Sequence, residues 1–299
     1  MNKGILYGIG AYVLWGFFPI YWKFLHVVPA LQVIGHRIGW SFAVLLIYIL
    51  LTRQWQEFQS VAFNVKTILM YAGAGILLSI NWLIYVWGVN AGFIVETSLG
   101  YFINPLLSVL LGVIFLRERL RPRQWIPVVI AAIGVIYLTA VYGRLPWIAL
   151  SLALSFGFYG LVKKLAPLGS LYGLTLETGI VLPVALIYLV FLQVKGGASF
   201  LHHGTTVDLF LVGAGIVTTI PLLMFASAAK QIPLTMVGIL QYIAPTRQFL
   251  IGVLIYKEPF DQAHLIGFGI VWAALVIFWV ENFTANRGLV EPIPELGEG

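Results

Sequence analysis

Residues 67–90, TILMYAGAGILLSINWLIYVWGVN, hold no charged side chain, and residues 207–229, VDLFLVGAGIVTTIPLLMFASAA, hold one, Asp208 near the start. At about 1.5 Å per residue the first stretch makes a helix of about 36 Å, enough for the roughly 30 Å hydrocarbon core of a bilayer. Both stretches carry Gly-Ala-Gly-Ile, at 73–76 and at 213–216, an offset of 140. Moving outward, the same offset pairs Ile80 with Ile220, Pro105 with Pro245, Gly112-Val113 with Gly252-Val253 and Glu118 with Glu258. In the other direction it pairs Ile47-Tyr48 with Ile187-Tyr188, Gly39 with Gly179 and Lys23 with Lys163. A constant offset that preserves Gly, Pro and Glu is the mark of a duplicated unit.

The rest of the chain has the same character. Of its 299 residues 61% are hydrophobic and 9% charged, against about a quarter charged in a soluble domain. The mean hydropathy is +0.97. Only a helical membrane protein can leave that much apolar surface facing its solvent, since the roughly ten-residue alternating strands of a barrel give no apolar runs of helix-spanning length. Ten spans are predicted, at 4–25, 30–51, 67–90, 93–116, 124–141, 145–163, 170–194, 207–229, 234–256 and 262–283. The first is long enough to be a membrane helix and not a cleavable leader. The tail 288–299, with two Pro and three Glu, is expected to be disordered or a cloning remnant.

Basic residues set the orientation. With the N-terminus cytoplasmic, that side holds Lys3, Arg53, Lys66, Arg117, Arg119, Arg121, Arg123, Lys163, Lys164, Lys230 and Arg287, and the other only Lys23, Arg144, Lys195 and Lys257. Basic loops stay inside, so both termini are expected to be cytoplasmic, and the formal charge of +6 reads as a topology anchor with no nucleic-acid partner. Five spans per repeat is an odd number, so the second repeat enters from the opposite face. The expected fold is therefore all-α and polytopic: a first repeat at 1–141 and an inverted second at 142–287, the symmetry that underlies alternating access.

Charges at membrane depth are expensive and call for a reason. Arg37 and Arg247 are expected to present guanidinium groups to a solute carboxylate, with Glu96 and Glu177 as coupling or gating groups; a structural Arg37–Glu96 pair is the competing reading. Pro105 and Pro245 cannot donate to the carbonyls of Tyr101 and Gln241, which predicts kinks at the midplane, with Asn104, Gln241 and Tyr242 beside them. Asn81 and Tyr85, four apart, share a helix face toward the same cavity, while Trp87 reads as packing. His202-His203 with Asp208 is too weak a pattern for a metal. With no Cys and no phosphate loop, HExxH or serine-triad pattern, neither an enzyme, a cofactor nor a metal site is expected, and energy has to come from an ion or solute gradient.

These residues fall into motifs. His36-Arg37-x-x-Trp40-Ser41, Asn81-Trp82-x-x-Tyr85, the block Glu96-Thr97-Ser98-Leu99-Gly100-Tyr101-Phe102-Ile103-Asn104-Pro105-Leu106, and Gln241-Tyr242-Ile243-Ala244-Pro245-Thr246 resemble the drug/metabolite transporter superfamily, EamA type, in its RarD branch, named for chloramphenicol sensitivity. Thr97 stands where that branch has Ala, a small change. The resemblance covers 1–287 and implies ten helices, two EamA repeats, a bacterial inner membrane location and a carrier. The expected solute is a small polar or zwitterionic metabolite, amino acids included, with protons as the candidate coupling ion, lipid as the surroundings and no obligatory protein partner. Export of hydrophobic drugs and passive conduction stay open as alternatives.

Overall fold

The computed structural model describes residues 2–91, 93–143, 145–256 and 262–287, and among them the regular structure is helical throughout. In chain order the helices are α1 (Lys3–Gly16), α2 (Phe18–Lys23), α3 (Ala30–Leu51), α4 (Trp55–Ala62), α5 (Val65–Asn90), α6 (Ile94–Phe115), α7 (Trp125–Tyr142), α8 (Trp147–Leu165), α9 (Ser170–Lys195), α10 (Thr205–Gln231), α11 (Leu234–Gln241), α12 (Ile243–Leu250) and α13 (Gln262–Arg287). Among the described residues eight segments are long and apolar enough to cross a membrane: Lys3–Lys23, Ala30–Leu51, Val65–Tyr85, Pro122–Val141, Trp147–Leu165, Ser170–Lys195, Thr205–Gln231 and Leu234–Ile255. The predicted stretches at 93–116 and 262–283 fall on the shorter apolar helices Leu99–Phe115 and Leu265–Glu281. The chain is a multi-pass membrane protein. The predicted tail 288–299 lies outside the described residues, as do Arg144, Lys257 and Glu258.

Proline breaks two of the predicted helices, and the reasons are local. The first separates into α1 and α2 at Phe17, because Pro19 has no N–H for the carbonyl of Trp15. That carbonyl instead accepts from Gln248 Nε2 at 3.1 Å. The ninth breaks at Tyr242, three residues before Pro245, into α11 and α12, and continues as a π-helical turn at Ile251–Ile255. By contrast α6 runs through Pro105 without interruption. A helix that the apolar periodicity alone did not predict, α4, buries Phe58 and Ala62 against Ile49, Tyr71, Leu168 and Leu176.

By compactness the chain divides into two units, 1–118 with 145–259, and 119–144 with 260–299. This division cuts across the two sequence halves. In the smaller unit α7 packs on α13, with Gly134 against Ile270 and Val271, and Arg121 Nη2 meets Glu281 Oε2 at 3.1 Å. The larger unit packs α6 on α8, α1 on α10, α3 on α10 and α9, and α5 on α8. Two backbones come close at Gly215, where a Cβ would lie 2.5 Å from the Trp40 carbonyl carbon and 2.8 Å from the Ser41 nitrogen. Ser41 Oγ donates to the Gly215 carbonyl across the same crossing. At the start of α11 the Glu118 carboxylate accepts from the backbone N–H of Leu234 at 2.6 Å and of Thr235 at 2.8 Å, a charged cap on a helix N-terminus.

Candidate solute-binding cavity

Within the larger unit lies a cavity of about 300 Å³. Its walls come from α1, α2, α3, α5, α6, α8, α10, α11 and α12. Eight aromatic side chains line it: Tyr12, Trp15, Phe18, Trp22, Trp82, Tyr85, Tyr101 and Phe156. Arg37 supplies the one charge among the described lining residues.

The guanidinium of Arg37 is held by aromatic faces and one neutral hydrogen bond. Its Cζ lies 4.1 Å from the ring centre of Trp82 and 4.9 Å from that of Trp22, while Nε donates to Thr218 Oγ1 at 2.9 Å. Cation–π contact of this kind is worth about 0.5–2 kcal/mol and leaves the net charge in place. Among the described residues Arg37 makes no ion pair. Phe18 and Trp22 both come from α2, the short helix that follows the break at Phe17.

Of the residues predicted for solute binding, Arg37, Asn81, Tyr85, Tyr101, Asn104 and Gln241 line this cavity, as does Pro245. Asn81 Nδ2 donates to the Leu152 carbonyl at 2.9 Å and to Ser155 Oγ at 3.1 Å, tying α5 to α8. Tyr85 and Tyr101 meet edge to face with centroids 5.8 Å apart. Gln241 Oε1 accepts from Ser108 Oγ at 3.4 Å. Asn104 Oδ1 is buried with no hydrogen-bond partner, an acceptor available to a solute donor.

The remaining predicted residues lie elsewhere. Tyr242 is packed in the core, its hydroxyl donating to the Phe102 carbonyl at 3.3 Å. Arg247 does not line the cavity: its Cζ sits 4.0 Å from the Phe17 ring centre, and its aliphatic stem covers Gly16. Glu96 does not pair with Arg37; its Oε1 accepts from Ile148 N at 2.7 Å in the first turn of α8. Glu177 forms a buried ion pair with Lys163 at 2.8 Å, and Pro105 packs against α11, where a Cβ on Gly238 would lie 2.7 Å from its carbonyl oxygen. The lining residues not anticipated are chiefly Tyr12, Trp15, Phe18, Trp22, Phe156 and Gln248. The signal that finds some of the wall is the repeat: Tyr12 and Leu152, Trp82 and Leu222, Tyr101 and Gln241, and Asn104 and Ala244 are each 140 apart, and both members of every pair line the cavity.

The EamA-like transporter family matches residues 2–140. A Bacillus subtilis protein described as uncharacterized transporter YojE is 49% identical over 93% of each chain. The chain belongs to the EamA-like transporter family. Within it, the RarD protein of Escherichia coli is 40% identical to this EamA-family chain, over 96% of the chain and 97% of that protein. One crystal structure aligns with a TM-score of 0.69 at 18% identity, covering 92% of this chain and 98% of its own; it shares the fold. An EamA-family chain implies a small-molecule solute and a lipid environment.

Proposed function

We propose that this chain is a secondary carrier for a small polar or zwitterionic metabolite, amino acids among them, working by alternating access in the bacterial inner membrane with both termini cytoplasmic. The carrying observation is the cavity's chemistry: an Arg37 guanidinium without a carboxylate partner and an unpartnered Asn104 carbonyl oxygen, set among aromatic walls. The cation takes a carboxylate by charge-assisted hydrogen bonds. Asn104 Oδ1 and the tyrosine faces take an ammonium. A volume of about 300 Å³ is at the small end of ligand pockets, roughly 300–1,000 Å³, and so favours a metabolite over a bulky drug.

Alternation is attributed to two inverted repeats, 1–141 and 142–287. Supporting this, α6 packs on α8, and α1 packs on α11 and α12, which occupy the equivalent positions at the 140 offset. Gly215 packs on Trp40 and Ser41, and its equivalent Gly75 packs on Val181, the equivalent of Ser41.

The test is ligand-induced thermal stabilisation of purified protein with amino acids and their carboxamides, L-phenylalanine against L-phenylalaninamide first. The expected result is stabilisation by carboxylate-bearing members only, abolished in Arg37→Ala. Equal stabilisation by acid and amide, in wild type and Arg37→Ala alike, would instead support the second reading, an exporter of hydrophobic drugs, which the eight aromatic side chains favour. Counterflow of the stabilising solute in proteoliposomes separates a carrier from a pore, because only a carrier exchanges solute for solute.

A further inference from the structure

Outside the cavity, Lys163 on α8 forms a buried ion pair with Glu177 on α9. Both side chains are essentially inaccessible, at 1% and 2% exposure, with Nζ 2.8 Å from Oε2. Desolvating two charges costs several kcal/mol each, so a buried pair contributes little stability over apolar residues of the same volume. It is also incompletely satisfied. Glu177 Oε1 and Tyr159 Oη are both buried without a hydrogen-bond partner.

The repeat sharpens the point. Position 163 is the equivalent of 23 and position 177 of 37. The first half keeps the lysine, with Lys23 Nζ 3.8 Å from the Tyr256 ring centre, but has Arg37 where the second half has the acid. A carboxylate at this place is a feature of one half alone.

We propose that the Lys163–Glu177 pair is a proton-binding site, with Glu177 Oε1 the atom that takes the proton; this rests on the reading of the chain as a carrier and names its coupling ion. The proton comes from the aqueous phase and forms an O–H bond at Oε1. Glu177 becomes neutral, Lys163 keeps its three protons, and the pair passes from net zero to net +1. The freed ammonium stays against the rings of Tyr71 and Tyr159, 5.3 and 5.7 Å away, while the charge attraction joining α8 to α9 is lost.

The other ionisable groups on the packed elements are few. Tyr71 comes from α5, its hydroxyl donating to the Leu168 carbonyl, and Lys230 from α10, its ammonium on the Ala166 carbonyl. On α3, Arg37 faces the cavity, His36 faces Phe200 and Tyr48 is exposed. Glu57 on α4 is exposed, and Glu96 on α6 lies at the other end of α8. The site is one ring from the cavity wall: Tyr159 lies 5.6 Å from Phe156, which lines the cavity.

The experiment is infrared difference spectroscopy on the full-length protein in liposomes, titrated without solute between about pH 5 and pH 8. A carboxylic-acid carbonyl band is expected to grow as the pH falls and to be missing in Glu177→Gln. Lys163→Met removes the opposing cation, so the frequency of the Glu177 carbonyl band is expected to move. A titration without the band, a band that persists in Glu177→Gln, or a band of unchanged frequency in Lys163→Met overturns the proposal. The readout needs no solute. A titrating band with no solute found sinks the carrier reading and leaves the site; solute binding without the band does the reverse.

Discussion

Arg37 has five N–H donors, of which one is spent on Thr218. Charged hydrogen bonds contribute about 1.5–3 kcal/mol each, so Arg37→Ala is expected to weaken binding of a carboxylate-bearing solute at least tenfold, read as loss of ligand-induced thermal shift. Arg37→Lys, a point charge without the planar fork, is expected to recover only part of it. Arg247→Ala is expected to weaken binding far less, since its guanidinium lies over Phe17. In sequence these two arginines are indistinguishable: each is a lone cation in an apolar run. What separates them is their surroundings, Arg37 lining the cavity and Arg247 lying over Phe17. The polar wall was legible because Asn81, Asn104 and Gln241 have no place in lipid-facing surface. The aromatic wall was not, because Trp15, Phe18 and Trp22 have the same composition as interface anchors.

Among the helices, α11 depends on a residue from another element. Glu118 satisfies two N–H groups that the first turn of α11 leaves open. Replacing it with Ala is expected to cost about 1–2 kcal/mol and to raise amide exchange at Leu234 and Thr235 ahead of the rest of α11. At the α3–α10 crossing, Gly215→Val places a branched side chain where the Trp40 backbone already lies. Overpacking costs of about 1–3 kcal/mol predict a lower Tm with the Ser41–Gly215 hydrogen bond lost. The sequence pattern located the membrane-crossing stretches because apolar length is a direct physical requirement of the bilayer. It missed the break at Phe17, and at Pro105, where a kink was expected, α6 runs on as one helix. A proline removes one hydrogen bond in every case, and whether the helix bends depends on what catches the freed carbonyl, as Gln248 does at Trp15.

For the molecule as a whole, the offset of 140 was readable because it preserves residues of distinctive chemistry, Gly73 with Gly213, Pro105 with Pro245 and Glu118 with Glu258. The packing of α7 with α13 was not, because the offset of 140 makes them equivalents in sequence without saying which helices touch. The absence of Cys makes the orientation directly measurable. Lys3→Cys and Arg287→Cys are both expected to react with an impermeant maleimide only from the cytoplasmic face; labelling from opposite faces would require an odd number of spans. Finally, Arg37 fixes the electrical character of the transport cycle. Among the described lining residues the cavity holds one guanidinium and no acid, so it is positively charged when empty, and a zwitterionic cargo, which has no net charge, leaves that charge in place on the loaded step of the proposed alternation. A full elementary charge across 100 mV is worth about 2.3 kcal/mol. With the proton proposed at Glu177 as the coupling ion, net uptake is expected to respond to an imposed membrane potential, whereas one-for-one exchange, which carries the same charge both ways, is expected to be insensitive to it.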